Sequence, residues 1–132
     1  MTTLEQSVFI RFEDADPAGV IFYPRAIALA HAVIEELIRC SPLGWNAWFA
    51  SPTHAAPIRR AEAEFFHPLR TGEKVTTRAN VESLGETSVV FVVTFLNADH
   101  AVAAHVRTVH VLIDRSTGHP VPLTPEIRAA LS

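Results

Sequence analysis

The order of patterns along the chain predicts an α+β fold, an antiparallel sheet of five strands wrapped around one long helix. Three observations carry this expectation. A loosely alternating first segment leads through a tight turn into a mostly apolar stretch at helical spacing, Ala26 to Ile38. Four alternating or β-branched segments then follow at close intervals, parted by short polar turns. Finally, 132 residues suit one domain spanning 1–132, long enough to bury roughly two-thirds of its unfolded surface around a single core.

Each element has a local reason. Leu4 to Phe12 reads as the first strand, with Val8, Ile10 and Phe12 on one side and Phe9 and Arg11 on the other. In the acidic turn that follows, Asp14 offers a side-chain acceptor, Pro17 fixes φ and Gly19 reaches positive φ. Pro24 suits the first helical position, which sets the helix start near Tyr23. Ile27, Ala30, His31, Ile34 and Ile38 share one helical face, widened by Leu29, Val33 and Leu37, so a sheet is expected to enclose most of the helix. Ser41-Pro-Leu-Gly ends it, and Trp45 to Ala50 forms a short second helix before a loop at Ser51-Pro-Thr-His. The remaining strands are expected at Pro57 to Phe66, Glu73 to Ser83, Thr87 to Leu96 and Ala101 to Asp114. Gly85-Glu86 reads as a two-residue hairpin tip and Asn97-Ala-Asp-His as a second turn. The nearly continuous apolar run Val89 to Phe95 predicts a central strand covered on both faces. Thr124 caps a terminal helix with Pro125 at its first position.

Composition narrows the function. A hydrophobic fraction of 48% with 19% charged residues is ordinary for a globular protein, and no segment is apolar for the length of a membrane span. The first residues lack the basic-then-apolar plan of a secretory signal, and the lone Cys40 cannot form an intrachain disulfide, so a reducing cytoplasm is the default. A net charge of −3 argues against nucleic acid as partner. Seven histidines invite a metal, but His105 and His110 stand five apart on one predicted strand and face opposite ways. His31 is alone on the helix, and His54, His67, His100 and His119 lie in loops without ligand spacing, so neither metal nor cofactor is expected.

The chemistry concentrates where the acidic turn meets the helix. A helix start leaves backbone N–H groups unpaired and carries partial positive charge, so it can hold a carbonyl oxygen that is becoming an anion. Asp16, seven residues before Tyr23, places a carboxylate beside that start. One group to attack or to activate water and another to take developing charge is the equipment of acyl transfer. Asp14 is read as a turn or cap acceptor.

At these residues the sequence resembles the hotdog-fold acyl-CoA thioesterases of the 4-hydroxybenzoyl-CoA thioesterase type. The motif is Asp14-Ala-Asp-Pro-Ala-Gly-Val-Ile-Phe-Tyr followed by the long helix. Similarity continues through Pro57-Ile-Arg-Arg, Phe65-Phe-His-Pro-Leu-Arg-Thr-Gly-Glu, Gly85-Glu-Thr-Ser and Val109-His-Val-Leu-Ile-Asp. The resemblance implies that Asp16 is catalytic, as nucleophile or general base, and that the Tyr23 backbone N–H polarises the thioester carbonyl. It implies an acyl-CoA substrate, with coenzyme A part of that substrate, and a homodimer or homotetramer with active sites between subunits. Pro17 as a stiffener and Gly19 as a point of close approach join the substrate-contacting group. Arg59 and Arg60 belong to five basic residues, with Arg70, Lys74 and Arg78, of which some are expected on the phosphates of coenzyme A. Thr87 and Ser88 stand where one branch of the family has basic residues and others have Thr-Ser. Pro57-Ile-Arg, Phe65-Phe and His31 are also similar to 1,4-dihydroxy-2-naphthoyl-CoA thioesterases, so an aromatic acyl group is the leading expectation, in a pocket formed with Trp48, Phe49, Phe65 or Phe66. Thioesterase action on aliphatic or acyl-carrier-protein esters, a hydratase, and a non-catalytic acyl-CoA binding module are the rivals.

Overall fold

The computed structural model describes residues 2–132. Five antiparallel strands make the main sheet: β1 (Thr3–Phe9), β3 (Ile58–Phe65), β4 (Lys74–Leu84), β5 (Ser88–Leu96) and β6 (Val102–Val111), in spatial order β1-β4-β5-β6-β3. Helix α1 (Tyr23–Cys40) lies against one face of it. This is the α+β arrangement that the element order predicts and the hotdog fold that the resemblance implies. Among the described residues no helix is long and apolar enough to cross a membrane.

Alternation decides which face of the sheet is covered. On β5, Val89, Phe91, Val93 and Phe95 are all fully buried, and they meet Ala26, Ala30, Val33, Ile34, Leu37 and Ile38 of α1 in one core. The other face of β5 is covered only in part, with Val90 and Leu96 buried but Ser88, Val92 and Thr94 half-buried, so the expectation of a strand covered on both faces is corrected. That outer face is polar: Arg107 bridges Glu62 and Glu82, Arg78 pairs with Glu5, and Thr94 bonds His105. The helix too is enclosed on one side only, since Ala28, Ala32, Glu35 and Arg39 are exposed at helical spacing and Ile27 and His31 sit half-buried at the margin.

Several boundaries differ from the expectation for identifiable reasons. β1 stops at Phe9 because its partner β4 begins at Lys74, and Phe12 lies outside the strand in a 3-10 turn (Phe12–Asp14), almost fully exposed. Tyr23 takes the first helical position and Pro24 the second. The hairpin tip is Glu86-Thr87, not Gly85-Glu86, because the Gly85 N–H donates to the Ser88 carbonyl at 2.7 Å. The last predicted strand breaks in two: β7 (Ile113–Asp114) leaves the main sheet to pair with β2 (His54–Ala55), in a segment expected to be loop. The short α2 (Trp45–Phe49) and the terminal α3 (Pro125–Leu131) form as expected, and Thr124 accepts from the Ile127 N–H at 3.2 Å.

Candidate active site

The acidic turn is a small, pinned hairpin. The Asp16 N–H donates to the Val20 carbonyl and the Gly19 N–H to the Asp16 carbonyl, both at 2.9 Å, and Ala15 pairs with Ile21. Its tip is therefore Pro17-Ala18-Gly19. Gly19 has φ +78, which an L side chain rarely adopts. The returning limb is stitched to a second loop: Ile21 N–H to Leu69 carbonyl at 2.7 Å, Thr71 N–H to Gly19 carbonyl at 3.1 Å, and Val20 opposite Arg70. The Asp16 carboxylate accepts from the Ala18 N–H through Oδ1 at 2.9 Å. It is half-buried, and among the described residues Oδ2 has no recorded donor.

Helix α1 begins directly after this hairpin. The Phe22 N–H donates to the Asp14 carbonyl at 2.8 Å, and the Arg25 N–H closes the first turn on the Phe22 carbonyl, also at 2.8 Å. Pro24 has no N–H. Among the described residues the Tyr23 N–H has no recorded acceptor, so it is an unpaired donor at the positive end of an 18-residue helix. The Tyr23 ring, 62% exposed, packs edge-on against Phe22. Asp14, the other carboxylate of the turn, is buried and bonded by Arg25 Nε and Nη2 and by the Arg11 N–H.

Beside the hairpin is a cavity of about 300 Å³ lined by Val20, Ile21, Phe65, Phe66, His67, Pro68 and Leu69. Trp48 and Phe49 do not reach it. They line a separate cavity of about 500 Å³ with His31, Ile58, His110 and Arg115. The four aromatic residues expected as alternatives for the pocket thus divide between two cavities within one chain. The second contains a feature the sequence did not reveal, a buried His110 stacked on His31 and packed edge-on against Phe91. His110 Nδ1 lies 3.1 Å from the Ala56 carbonyl and Nε2 3.2 Å from Thr108 Oγ1. A carbonyl only accepts, so Nδ1 carries the proton and Nε2 accepts from the hydroxyl. Burial holds the imidazole below its ordinary pKa, with the nearby His31 acting the same way and the Ala56 bond opposing.

The expected site residues fall into two groups. Asp16, Pro17, Gly19 and Tyr23 are together at one end of the sheet, where Phe65 and the start of β4 also lie. Arg59, Arg60, Thr87 and Ser88 are at the other end, since Ile58 pairs with His110 and Ser88 with its neighbour Val111. β4 runs from one end to the other, and its eleven residues span about 33 Å. Within one chain the second group does not converge on Asp16. Arg59 is the extra residue of a bulge on the edge strand β3, and Arg60 makes a long contact of 3.6 Å to Glu62. Thr87 offers its carbonyl to the Leu112 N–H. Among the described residues no group of three or more His, Cys, Asp or Glu is arranged to hold a metal ion.

A sheet packed on one face by a long helix, with an acidic hairpin feeding the helix start, is the arrangement that the resemblance to thioesterases implies. The chain belongs to the thioesterase-like superfamily, whose pattern it matches over residues 10–131. It is 29% identical over 119 residues to a 1,4-dihydroxy-2-naphthoyl-CoA hydrolase of Nostoc punctiforme, covering 89% of this chain and 79% of that one. A protein of the same description from Rippkaea orientalis is 26% identical over 120 residues, covering 89% and 87%. Among solved structures, a 1,4-dihydroxy-2-naphthoyl-CoA thioesterase from Synechocystis superposes with a TM-score of 0.87 at 19% identity, covering 98% of this chain and 95% of that one, a likeness of fold.

Proposed function

We propose that the protein hydrolyses an acyl-CoA thioester to the free carboxylic acid and coenzyme A, with Asp16 as the reacting carboxylate and the Tyr23 N–H as the donor to the carbonyl oxygen. The observation that carries the reading is that one pinned hairpin joins a half-buried carboxylate to a helix start, with neither Asp16 Oδ2 nor the Tyr23 N–H hydrogen-bonded among the described residues. As charge moves onto the carbonyl oxygen in the tetrahedral intermediate, a fixed donor there stabilises it without reorganising. Asp16 either attacks the carbonyl carbon, expelling the thiolate and leaving a mixed anhydride that water opens, or takes a proton from the water that attacks. Label from isotopic water entering the Asp16 carboxyl in a single turnover distinguishes the first route from the second.

An aromatic acyl group is the substrate we favour. Support comes from Phe65 and Phe66 walling the cavity next to the hairpin and from the substrate named for the relatives. We further propose that Arg59, Arg60, Thr87 and Ser88 serve the active site of a second copy. They lie toward the end of the sheet opposite their own Asp16, and a second copy packed against the first across a subunit boundary would bring them to the other subunit's site. Edge strand β3, paired on one side only, offers such a boundary.

The test is release of free thiol from a panel of aromatic and aliphatic acyl-CoA esters by wild type and Asp16→Asn. Asparagine keeps an oxygen to accept the Ala18 N–H, so the turn persists while the reactive carboxylate goes. Turnover of aromatic esters, reduced about 10²-fold or more in kcat by the substitution, is expected. Turnover that survives Asp16→Asn refutes the assignment, and tight ester binding with no turnover in wild type favours a binding module.

A further inference from the structure

Asp14 has no part in the chemistry proposed above, yet it is the most heavily bonded side chain at the junction. Its carboxylate is 1% exposed. Oδ1 accepts from Arg25 Nε at 3.0 Å and Nη2 at 2.8 Å, and Oδ2 from the Arg11 N–H at 2.9 Å. Its own carbonyl accepts the Phe22 N–H at 2.8 Å. These bonds reach three different segments: the link between β1 and the 3-10 turn, the residue that precedes Tyr23, and the first turn of α1. Asp14 itself is two residues from Asp16.

Asp14 is buried while the Arg25 side chain is 41% exposed, and such an ion pair is weak evidence for stability, because desolvating the carboxylate offsets much of the attraction. What such a pair does supply is geometry, and the planar fork of an arginine fixes both distance and angle. We propose that Asp14 and Arg25 form a positioning pair for Asp16, locking the acidic hairpin onto the helix start so that the carboxylate of Asp16 and the N–H of Tyr23 keep one relative placement. No other side chain bond recorded among the described residues joins the turn to α1. The backbone bonds within the hairpin hold its own shape and its seat on the loop at 69–71, while among the described residues only the bond from Phe22 and this pair set it against the helix. The inference rests on the reading of Asp16 as the reacting carboxylate.

The test uses the intact protein and the ester that wild type turns over best. Asp14→Asn is nearly isosteric and removes the charge that Arg25 meets, Arg25→Gln removes the fork, and Arg25→Lys keeps the charge without it. Loss of positioning is expected to lower kcat by about tenfold or more with KM changed by less than about threefold, at a temperature where each variant is folded. The double variant Asp14→Asn/Arg25→Gln should be no worse than the worse single one, because both remove the same link, and Arg25→Lys should recover part of the loss. A kcat within about twofold of wild type in Asp14→Asn, with only the melting temperature lowered, overturns the pair while leaving Asp16 in place. Turnover surviving Asp16→Asn overturns both. If wild type turns over no ester, amide hydrogen exchange decides: exchange at Asp16, Gly19 and Phe22 should quicken about tenfold in Asp14→Asn while the centre of β5 is unchanged, and unaltered rates at those three amides refute the link.

Discussion

The role given to the Tyr23 N–H can be tested by deleting that atom pair and almost nothing else. Tyr23→Pro removes the N–H at the first helical position, where proline is well tolerated. The preceding residue, Phe22, already has φ −75 and ψ 125, the extended conformation that a following proline demands. No internal hydrogen bond is lost, since the Tyr23 N–H has no recorded acceptor among the described residues. The structural cost is the edge contact between the Tyr23 and Phe22 rings at 5.5 Å, and with the Tyr23 ring 62% exposed this is worth at most about 1 kcal/mol. A melting temperature within a few degrees of wild type is expected. The catalytic cost is far larger: an aligned donor to a developing oxyanion is worth about 3 to 4 kcal/mol, so kcat should fall about 10²- to 10³-fold. Tyr23→Ala is the control, because it removes the ring and keeps the N–H, and it should retain most of kcat. Steady-state thiol release with circular dichroism on the same samples makes the measurement. A folded Tyr23→Pro enzyme with near-normal kcat would refute the assignment, and equal losses in the alanine and proline variants would move the role to the side chain.

Two further outcomes follow from the remaining geometry. Because burial lowers the pKa of His110 in the folded state, the unfolded chain binds a proton first on acidification, and stability falls as pH drops below the ordinary value of 6.5. Chemical denaturation across pH should show this as a slope of no more than about 1.4 kcal/mol per pH unit that flattens in His110→Gln, and an unchanged slope in that variant would remove His110 as its source. If Arg59 and Arg60 serve a neighbouring copy, mixing Asp16→Asn subunits with Arg59→Ala/Arg60→Ala subunits should restore activity at low substrate. Random pairing makes half the dimers mixed, each with one intact site, so about a quarter of the wild-type rate is expected, and a mixture no better than its parts refutes the shared site.

Local chemistry was legible wherever one residue dictates one conformation. Pro24 and Thr124 marked helix starts to within a residue, whereas the apolar run Val89 to Phe95 marked a strand but not which of its faces meets the helix. Legibility failed where partners decide. Phe12 continued an alternating pattern after β4, the strand that would have paired with it, had no residue left to offer. The two-residue strands β2 and β7 are too short to show a period, and they exist because their backbones meet, with Arg115 Nε bonding the Ser51 and His54 carbonyls alongside. Asp14 could be read as an acceptor but not as the partner of Arg25, eleven residues away, since helical spacing relates residues within one helix and not across the turn that precedes it.

The separation of the expected site into two groups was open to inference from strand order, and it bears on how this fold makes an enzyme. In an antiparallel meander a strand that starts beside the acidic hairpin must end at the far edge, so the hairpin Glu86-Thr87 after β4 is remote from Asp16 by construction. The bulged Arg59 and its neighbours are at that far end for the same reason. A single sheet one layer thick, curled on one helix, cannot fold its two ends onto one ligand without a break in the strands. A second copy related by a two-fold axis can, because antiparallel placement brings the far end of one sheet to the near end of the other. Under the proposed roles, a reacting carboxylate at Asp16 would be held by short-range bonds within its hairpin, while nucleotide contacts on the second residue group could vary on a separate surface.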